Sequence, residues 1–117
     1  NEESIDSMIE SLKCFDYDRL IVGFSVLKDK DYKYIIEKLS DVASEILVTS
    51  IDNPRAFNSE ELKSIVEDYF DNKVTAIDDN IKAFEFAKSK AKDNDLVLFC
   101  GSLYLIGQIF KYKNELL

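Results

Sequence analysis

Four short apolar runs rich in β-formers alternate with segments whose apolar residues recur every three or four positions, and this alternation restricts the fold more than any other feature. The runs are RLIVGFSVL (residues 19–27), EILVTS (45–50), KVTAI (73–77) and DLVLFC (95–100). Near-continuous apolar runs suit strands covered on both faces. The segments between them are long enough for helical crossovers, which join parallel strands and are right-handed. The expected fold class is α/β: a doubly wound, mostly parallel sheet in a three-layer αβα sandwich, Rossmann-like.

The helical segments are each defined by a stripe. Ile5, Met8, Ile9 and Leu12 open the chain, and Tyr32, Ile35, Ile36, Leu39 and Val42 follow a capping Asp31. Ser59 is the expected cap for the stripe Leu62, Ile65, Val66 and Tyr69, with Glu60 and Glu61 at the positive helix end. Asp78 or Asp79 is expected to cap Ile81, Phe84, Ala87 and Ala91. Gly101 and Ser102 turn the chain into a closing helix with Leu105, Ile106, Ile109 and Phe110 inward. The expected order is therefore αβαβαβαβα. Doubly wound domains normally begin on a strand, so a first strand, and a whole preceding domain, are expected to lie outside these residues.

A length of 117 residues fits one domain. The net charge of −8 is spread along the chain and leaves no basic stripe for phosphates, which argues against nucleic-acid binding. No apolar run approaches the ~20 residues of a membrane span, and the start NEESIDSM lacks the basic and apolar regions of a signal peptide, so a cytoplasmic location without membrane association is expected. With no histidine, the chain lacks the commonest general base and any Ser-His pair. Cys14 and Cys100 form no CxxC motif, so no metal site is expected and both are read as buried, reduced thiols. Catalysis by this chain alone is not expected.

Ligands of open parallel sheets bind at the carboxyl ends of the strands, where loops and helix N-termini gather. Four loops qualify: residues 27–31, 52–56, 78–79 and 101–104. Gly101 and Ser102 offer a hydroxyl and backbone donors to a carboxylate or phosphate, or they are simply a glycine turn and its capping serine. Arg55, behind Asn53 and Pro54, could reach an anion across a cleft, or it pairs with Glu60 or Glu61 on the surface. Asp29, Lys30 and Asp31 need no function beyond a charged loop with a capping aspartate. There is no GxxxxGK[ST] and no GxGxxG, so nucleotide phosphates must be held mainly elsewhere.

Three segments together, KDKD (28–31), DNPRA (52–56) and DLVLFCGSLYLIG (95–107), resemble the C-terminal domain of folylpolyglutamate synthases and bifunctional dihydrofolate synthases, relatives of the Mur ligases. The resemblance extends over essentially all of the chain. It implies that Asn1 is the last residue of an aspartate-glycine-alanine-histidine-asparagine stretch, with Glu2 where the family often has proline. It also implies an N-terminal domain of the same polypeptide that carries the P-loop, the magnesium ligands and most of the folate site. The implied reaction uses ATP and Mg to phosphorylate the folate's terminal carboxylate, and the amine of L-glutamate then attacks the acyl phosphate. Gly101, Ser102 and Tyr104 would lie near the glutamate pocket; Asp29, Lys30, Asp31, Asn53 and Arg55 would line the interdomain cleft on the nucleotide side. The resemblance assigns no catalytic residue to this chain, and a monomer is expected.

Two other readings remain at this point. One is a non-catalytic, receiver-like or regulatory α/β module with an acidic binding surface, although the first strand ends in Ser25-Val26-Leu27 rather than in the acidic residues a receiver needs. The other is the equivalent domain of a Mur ligase, against which the GSLYLIG segment favours the folate branch.

Overall fold

The computed structural model describes residues 2–101, which form eight elements in strict alternation. They are α1 (Glu2–Leu12), β1 (Arg19–Phe24), α2 (Tyr32–Val42), β2 (Glu45–Val48), α3 (Ser59–Glu67), β3 (Val74–Ala76), α4 (Asn80–Lys90) and β4 (Asp95–Cys100). The expected closing helix, with Leu105, Ile106, Ile109 and Phe110, lies outside the described residues.

All pairings in the four-stranded sheet are parallel, and the strand order is β3-β2-β1-β4. The chain moves outward from β1 to β2 to β3, then returns past β1 to place β4 on its other side. With right-handed crossovers, that reversal moves the connecting helix to the opposite face of the sheet. Accordingly α1, α2 and α3 share one core with Leu20, Val22, Phe24, Ile46 and Val48. On the other face, Ala87 of α4 packs with Ile21, Leu47, Val97 and Phe99. The result is the three-layer, doubly wound α/β domain expected from the sequence.

Strand alternation explains this division, because successive side chains of β1 point to opposite faces. Gly23 is required by its neighbour across the ladder: it pairs with Phe99, and a Cβ at Gly23 would sit within 2.5 Å of three atoms of that ring. A glycine inside a strand thus marks a close approach from β4.

The amino edge of the sheet is closed by ion pairs. Glu45, whose side chain is only 6% exposed, receives Lys90 Nζ at 2.8 Å, and Asp95 pairs with Arg19 at 3.4 Å. The hydrogen bond that Lys90 donates to Glu45 raises the Lys90 pKa above its ordinary value.

Several elements end earlier than the apolar runs suggest. β1 stops at Phe24, because Leu27 leaves the ladder and forms an isolated antiparallel bridge with Ala56. α1 stops at Leu12, so Cys14 falls in the following turn, bonded from its backbone N–H to Ser11 O, and is exposed rather than buried. Cys100 is buried as expected, and burial pushes its thiol up to about 12. α3 stops at Glu67, which leaves Tyr69 38% exposed instead of on the buried stripe, while Phe70 is buried. The cap of α3 is Asn58 and not Ser59. Asn58 Oδ1 accepts from Glu61 N at 2.8 Å and Asn58 N donates to Glu61 Oε1 at 3.1 Å, a reciprocal capping box.

Candidate functional site

The carboxyl ends of the strands are stitched into one rim by backbone hydrogen bonds. Thr49 N donates to Phe24 O at 2.9 Å, Ile77 N to Val48 O at 3.0 Å, Ser50 N to Asp78 O at 3.2 Å and Ser25 N to Cys100 O at 3.4 Å. Because the chain reverses between β1 and β4, the topological switch point lies at their ends, where ligands of this architecture bind.

Gly101 follows β4 immediately at that point. Its φ is +102°, and a Cβ there would lie 2.0 Å from Ser25 O and 2.7 Å from the Phe24 ring. Glycine is therefore fixed by geometry at this position, independently of any ligand. Ser102 and Tyr104 lie outside the described residues.

The loops after β1 and β2 are joined three times. Lys28 N donates to Arg55 O at 2.7 Å, Leu27 bridges Ala56, and Arg55 Nη1 lies 2.6 Å from Asp29 Oδ2. Arg55 thus pairs with Asp29 across the two loops, and not with Glu60 or Glu61. Asn53 is engaged locally, its Oδ1 accepting from Arg55 N at 2.8 Å in an Asx turn that sets the loop behind Pro54. Asp31 caps α2 by accepting from Tyr34 N at 3.4 Å, and Lys30, beside it, is exposed. The five cleft residues singled out by sequence therefore share one edge of the molecule with Gly101.

The rim's helix N-termini are already occupied. Besides Asp31 and Asn58, Asp79 Oδ1 accepts from Ile81 N and Lys82 N at 2.9 and 3.0 Å. Asp78 Oδ1 accepts from Ser59 N at 3.0 Å and from Ser59 Oγ at 2.5 Å. Carboxylates complement the positive ends of α2, α3 and α4 and take up their free donors. The cationic side chains Lys28, Lys30 and Arg55 stand exposed on the same rim.

The sequence reading did not single out Asn58, Ser59 or Asn80 as site residues. With Ser50, Asp52, Asp78 and Asp79 they surround or support a cleft of about 500 Å³ beyond β2 and β3. The Asn-x-x-Glu spacing of residues 58–61 was the available signal for the cap, whereas nothing local marks the contact between Ser59 and Asp78. A second cleft, about 590 Å³ and lined by Asp18, Arg19 and residues 92–95, lies at the amino edge, away from the helix N-termini. Among the described residues, no grouping of three or more Asp, Glu, Cys or His side chains could hold a metal ion, and no helix is long and apolar enough to cross a membrane.

The Ser59 side-chain bond, then its backbone bond, lower the Asp78 pKa from the ordinary aspartate value, against the opposing effect of burial. A carboxylate with a lowered folded-state pKa stabilises the fold above its unfolded-state pKa, and that contribution is lost as pH falls through the folded value. Ser59→Ala is expected to raise the Asp78 pKa towards the ordinary value and to move the onset of acid unfolding to higher pH. Carboxyl NMR titration and acid unfolding monitored by circular dichroism check both; an unmoved Asp78 titration removes Ser59 as the cause.

The pattern of the family described as Mur ligase, glutamate ligase domain, matches residues 1–103, most of the 117-residue chain. The chain belongs to this Mur ligase family. The dihydrofolate synthase/folylpolyglutamate synthase of Bacillus subtilis is 38% identical over 112 residues, which are 95% of this chain and 25% of that protein. A UDP-N-acetylmuramoyl-L-alanyl-D-glutamate–2,6-diaminopimelate ligase from Wigglesworthia glossinidia brevipalpis is 28% identical over 95 residues, 80% of this chain and 19% of that protein. Among solved structures, E. coli FolC in complex with DHPP and ADP superposes with a TM-score of 0.88 over 98% of this chain and 27% of that one, at 21% identity, and so shares the fold. The chain thus spans about a quarter of the length of the Bacillus subtilis protein and of E. coli FolC. Membership of the Mur ligase family disfavours the receiver-like reading.

Proposed function

We propose that this chain is the C-terminal domain of an ATP-dependent ligase that adds L-glutamate to a (tetrahydro)folate, closing over the nucleotide and helping to present glutamate. The observation that carries the proposal is the 38% identity, over 95% of the chain, to a dihydrofolate synthase/folylpolyglutamate synthase. The lower identity to the diaminopimelate-adding ligase makes that branch the second reading.

In this proposal ATP supplies the phosphoryl group that activates the folate's terminal carboxylate as an acyl phosphate, from which the glutamate amine displaces phosphate to form the amide. Reactions of this kind depend on positioning and on neutralising charge more than on covalent help from the protein. The residues of this chain fit the positioning part. Lys28, Lys30 and Arg55 stand exposed on the rim where an anionic phosphate or carboxylate would approach. Asp29, Asp31 and Asn53 hold the loops that carry them. We place Gly101, together with Ser102 and Tyr104, on the glutamate side. Among the described residues no group of carboxylates fits a magnesium site. In this proposal the metal and the P-loop belong to an N-terminal domain of the same polypeptide. The whole enzyme acts as a cytoplasmic monomer.

The test is steady-state ligation by the full-length protein, following radiolabelled glutamate into folate in the presence of ATP and magnesium. Ser102→Ala is expected to raise the KM for glutamate on the order of tenfold, as loss of one hydrogen bond to a charged group does, and to leave the KM for ATP nearly unchanged. An unchanged glutamate KM returns Ser102 to a capping role. Ligation of diaminopimelate to UDP-N-acetylmuramoyl-L-alanyl-D-glutamate, with no glutamate joined to folate, would favour the second reading.

A further inference from the structure

Arg55 is a long, flexible side chain on an exposed loop, yet its guanidinium has a defined partner. Nη1 lies 2.6 Å from Asp29 Oδ2, joining residues 26 positions apart in sequence. The two side chains are 59% and 51% exposed, so the pair contributes little to stability. Its geometry is more informative than its strength. A guanidinium carries five N–H donors in a fixed fork, and Asp29 engages Nη1 alone. Among the described residues nothing else bonds the guanidinium, so its Nε and Nη2 edge is open to a second oxyanion in the two-bond arrangement that arginine forms with carboxylates and phosphates.

Asp29 is itself well anchored. Its loop is tied to the Arg55 loop by the bond from Lys28 N to Arg55 O and by the bridge between Leu27 and Ala56, so both ends of the ion pair ride on one platform. The turn that follows is closed by Lys30 N donating to Leu27 O at 3.2 Å, and Arg55 N is held by Asn53 Oδ1 at 2.8 Å. An arginine fixed beforehand at one corner loses less side-chain freedom when its ligand arrives.

We propose that Asp29 is a positioning residue: by holding Arg55 Nη1 it presents the remaining guanidinium edge to an oxyanion of a substrate at the rim. This rests on the cleft reading of Arg55 given above. The oxyanion is a carboxylate of the amino acid or the folate, or a phosphate of the nucleotide, and kinetics separate these sources.

The experiment compares Asp29→Asn, Asp29→Glu, Arg55→Ala and the Asp29→Asn/Arg55→Ala double variant in the full-length ligase, measuring KM separately for ATP, folate and glutamate. Asp29→Asn is expected to raise one of these KM values about 5- to 20-fold with kcat within about twofold, because uniform binding and not the transition state is affected. The substrate concerned identifies the oxyanion. Arg55→Ala raises the same KM, the double variant is no worse than Arg55→Ala alone, and Asp29→Glu recovers most of the loss. The Tm of Asp29→Asn stays within about 2 °C of the parent, as for other exposed pairs. If Arg55→Ala raises a KM but Asp29→Asn moves none, or the two effects add in the double variant, the positioning role of Asp29 is overturned and the cleft reading stands. A lowered KM in Asp29→Asn also overturns it, since Asp29 would then be competing with the ligand. If Arg55→Ala moves no KM, the cleft reading and the proposal fall together.

Discussion

Gly101→Ala should destabilise the domain by on the order of 4 kcal/mol. Two separate costs fall on one added methyl group. The backbone at Gly101 has φ +102°, a conformation that costs an L-residue about 1–3 kcal/mol. The new Cβ would also lie 2.0 Å from Ser25 O and 2.7 Å from two atoms of the Phe24 ring. Phe24 is 1% exposed in the central strand and cannot swing aside without opening the core, so overpacking adds about 1–3 kcal/mol more. Against a typical stability of about 5–15 kcal/mol, that is a large share. Urea unfolding checks it: the midpoint should fall with little change in slope. Gly101→Asn should be comparably damaging, because the obstacle is the Cβ position and asparagine's tolerance of positive φ does not remove it. If Gly101→Ala unfolds within about 1 kcal/mol of the parent, the close approach of Gly101 to Ser25 does not exist in solution.

The same contact shows where sequence reading succeeds and where it stops. Apolar runs and helical stripes specify their own elements, because each is set by residues within a few positions of one another. The placement of β4 beside β1 is not local. Gly23 within an apolar run signals that something approaches closely, but only the folded sheet shows that it is Phe99, 76 positions later. Element ends were harder for a related reason. Cys14 and Tyr69 continue the apolar character of their helices, yet α1 and α3 have already ended at Leu12 and Glu67. The chain turns off the helix axis there, and both side chains point to solvent.

The rim was legible because a parallel sheet must gather its loops and helix N-termini at one edge. Its internal wiring was not. Glu60 and Glu61 are the carboxylates nearest to Arg55 in sequence on the helix side, but Glu61 is committed to the cap of α3. The actual partner, Asp29, comes from the loop after the neighbouring strand, brought alongside by the pairing of β1 with β2. Likewise Ser59 could be recognised near a helix start, but its role as donor to Asp78 depends on β2 and β3 ending at one level.

Expressed alone, the 117-residue chain should fold cooperatively and yet form no folate–glutamate amide from ATP, folate and glutamate. The rim loops carry three cations, Lys28, Lys30 and Arg55, but they are outnumbered by Asp29, Asp31, Asp52, Asp78 and Asp79. With a net charge of −8 for the chain, this edge does not concentrate a polyanionic nucleotide by itself. The helix N-termini that could have offset the imbalance are capped by the chain's own carboxylates and amide. Phosphoryl transfer to a carboxylate brings two anions together and needs strong positive charge at the reacting atoms. In the proposed division of labour that charge is brought against this rim by a second body, which shares the work with Arg55 and its neighbours. The check is a glutamate-incorporation assay of the chain alone beside the full-length ligase at equal molarity, with circular dichroism confirming that both are folded. Turnover by the isolated chain above the no-enzyme rate would show that the rim neutralises the reacting phosphate unaided, and the division of labour proposed for this domain would be wrong.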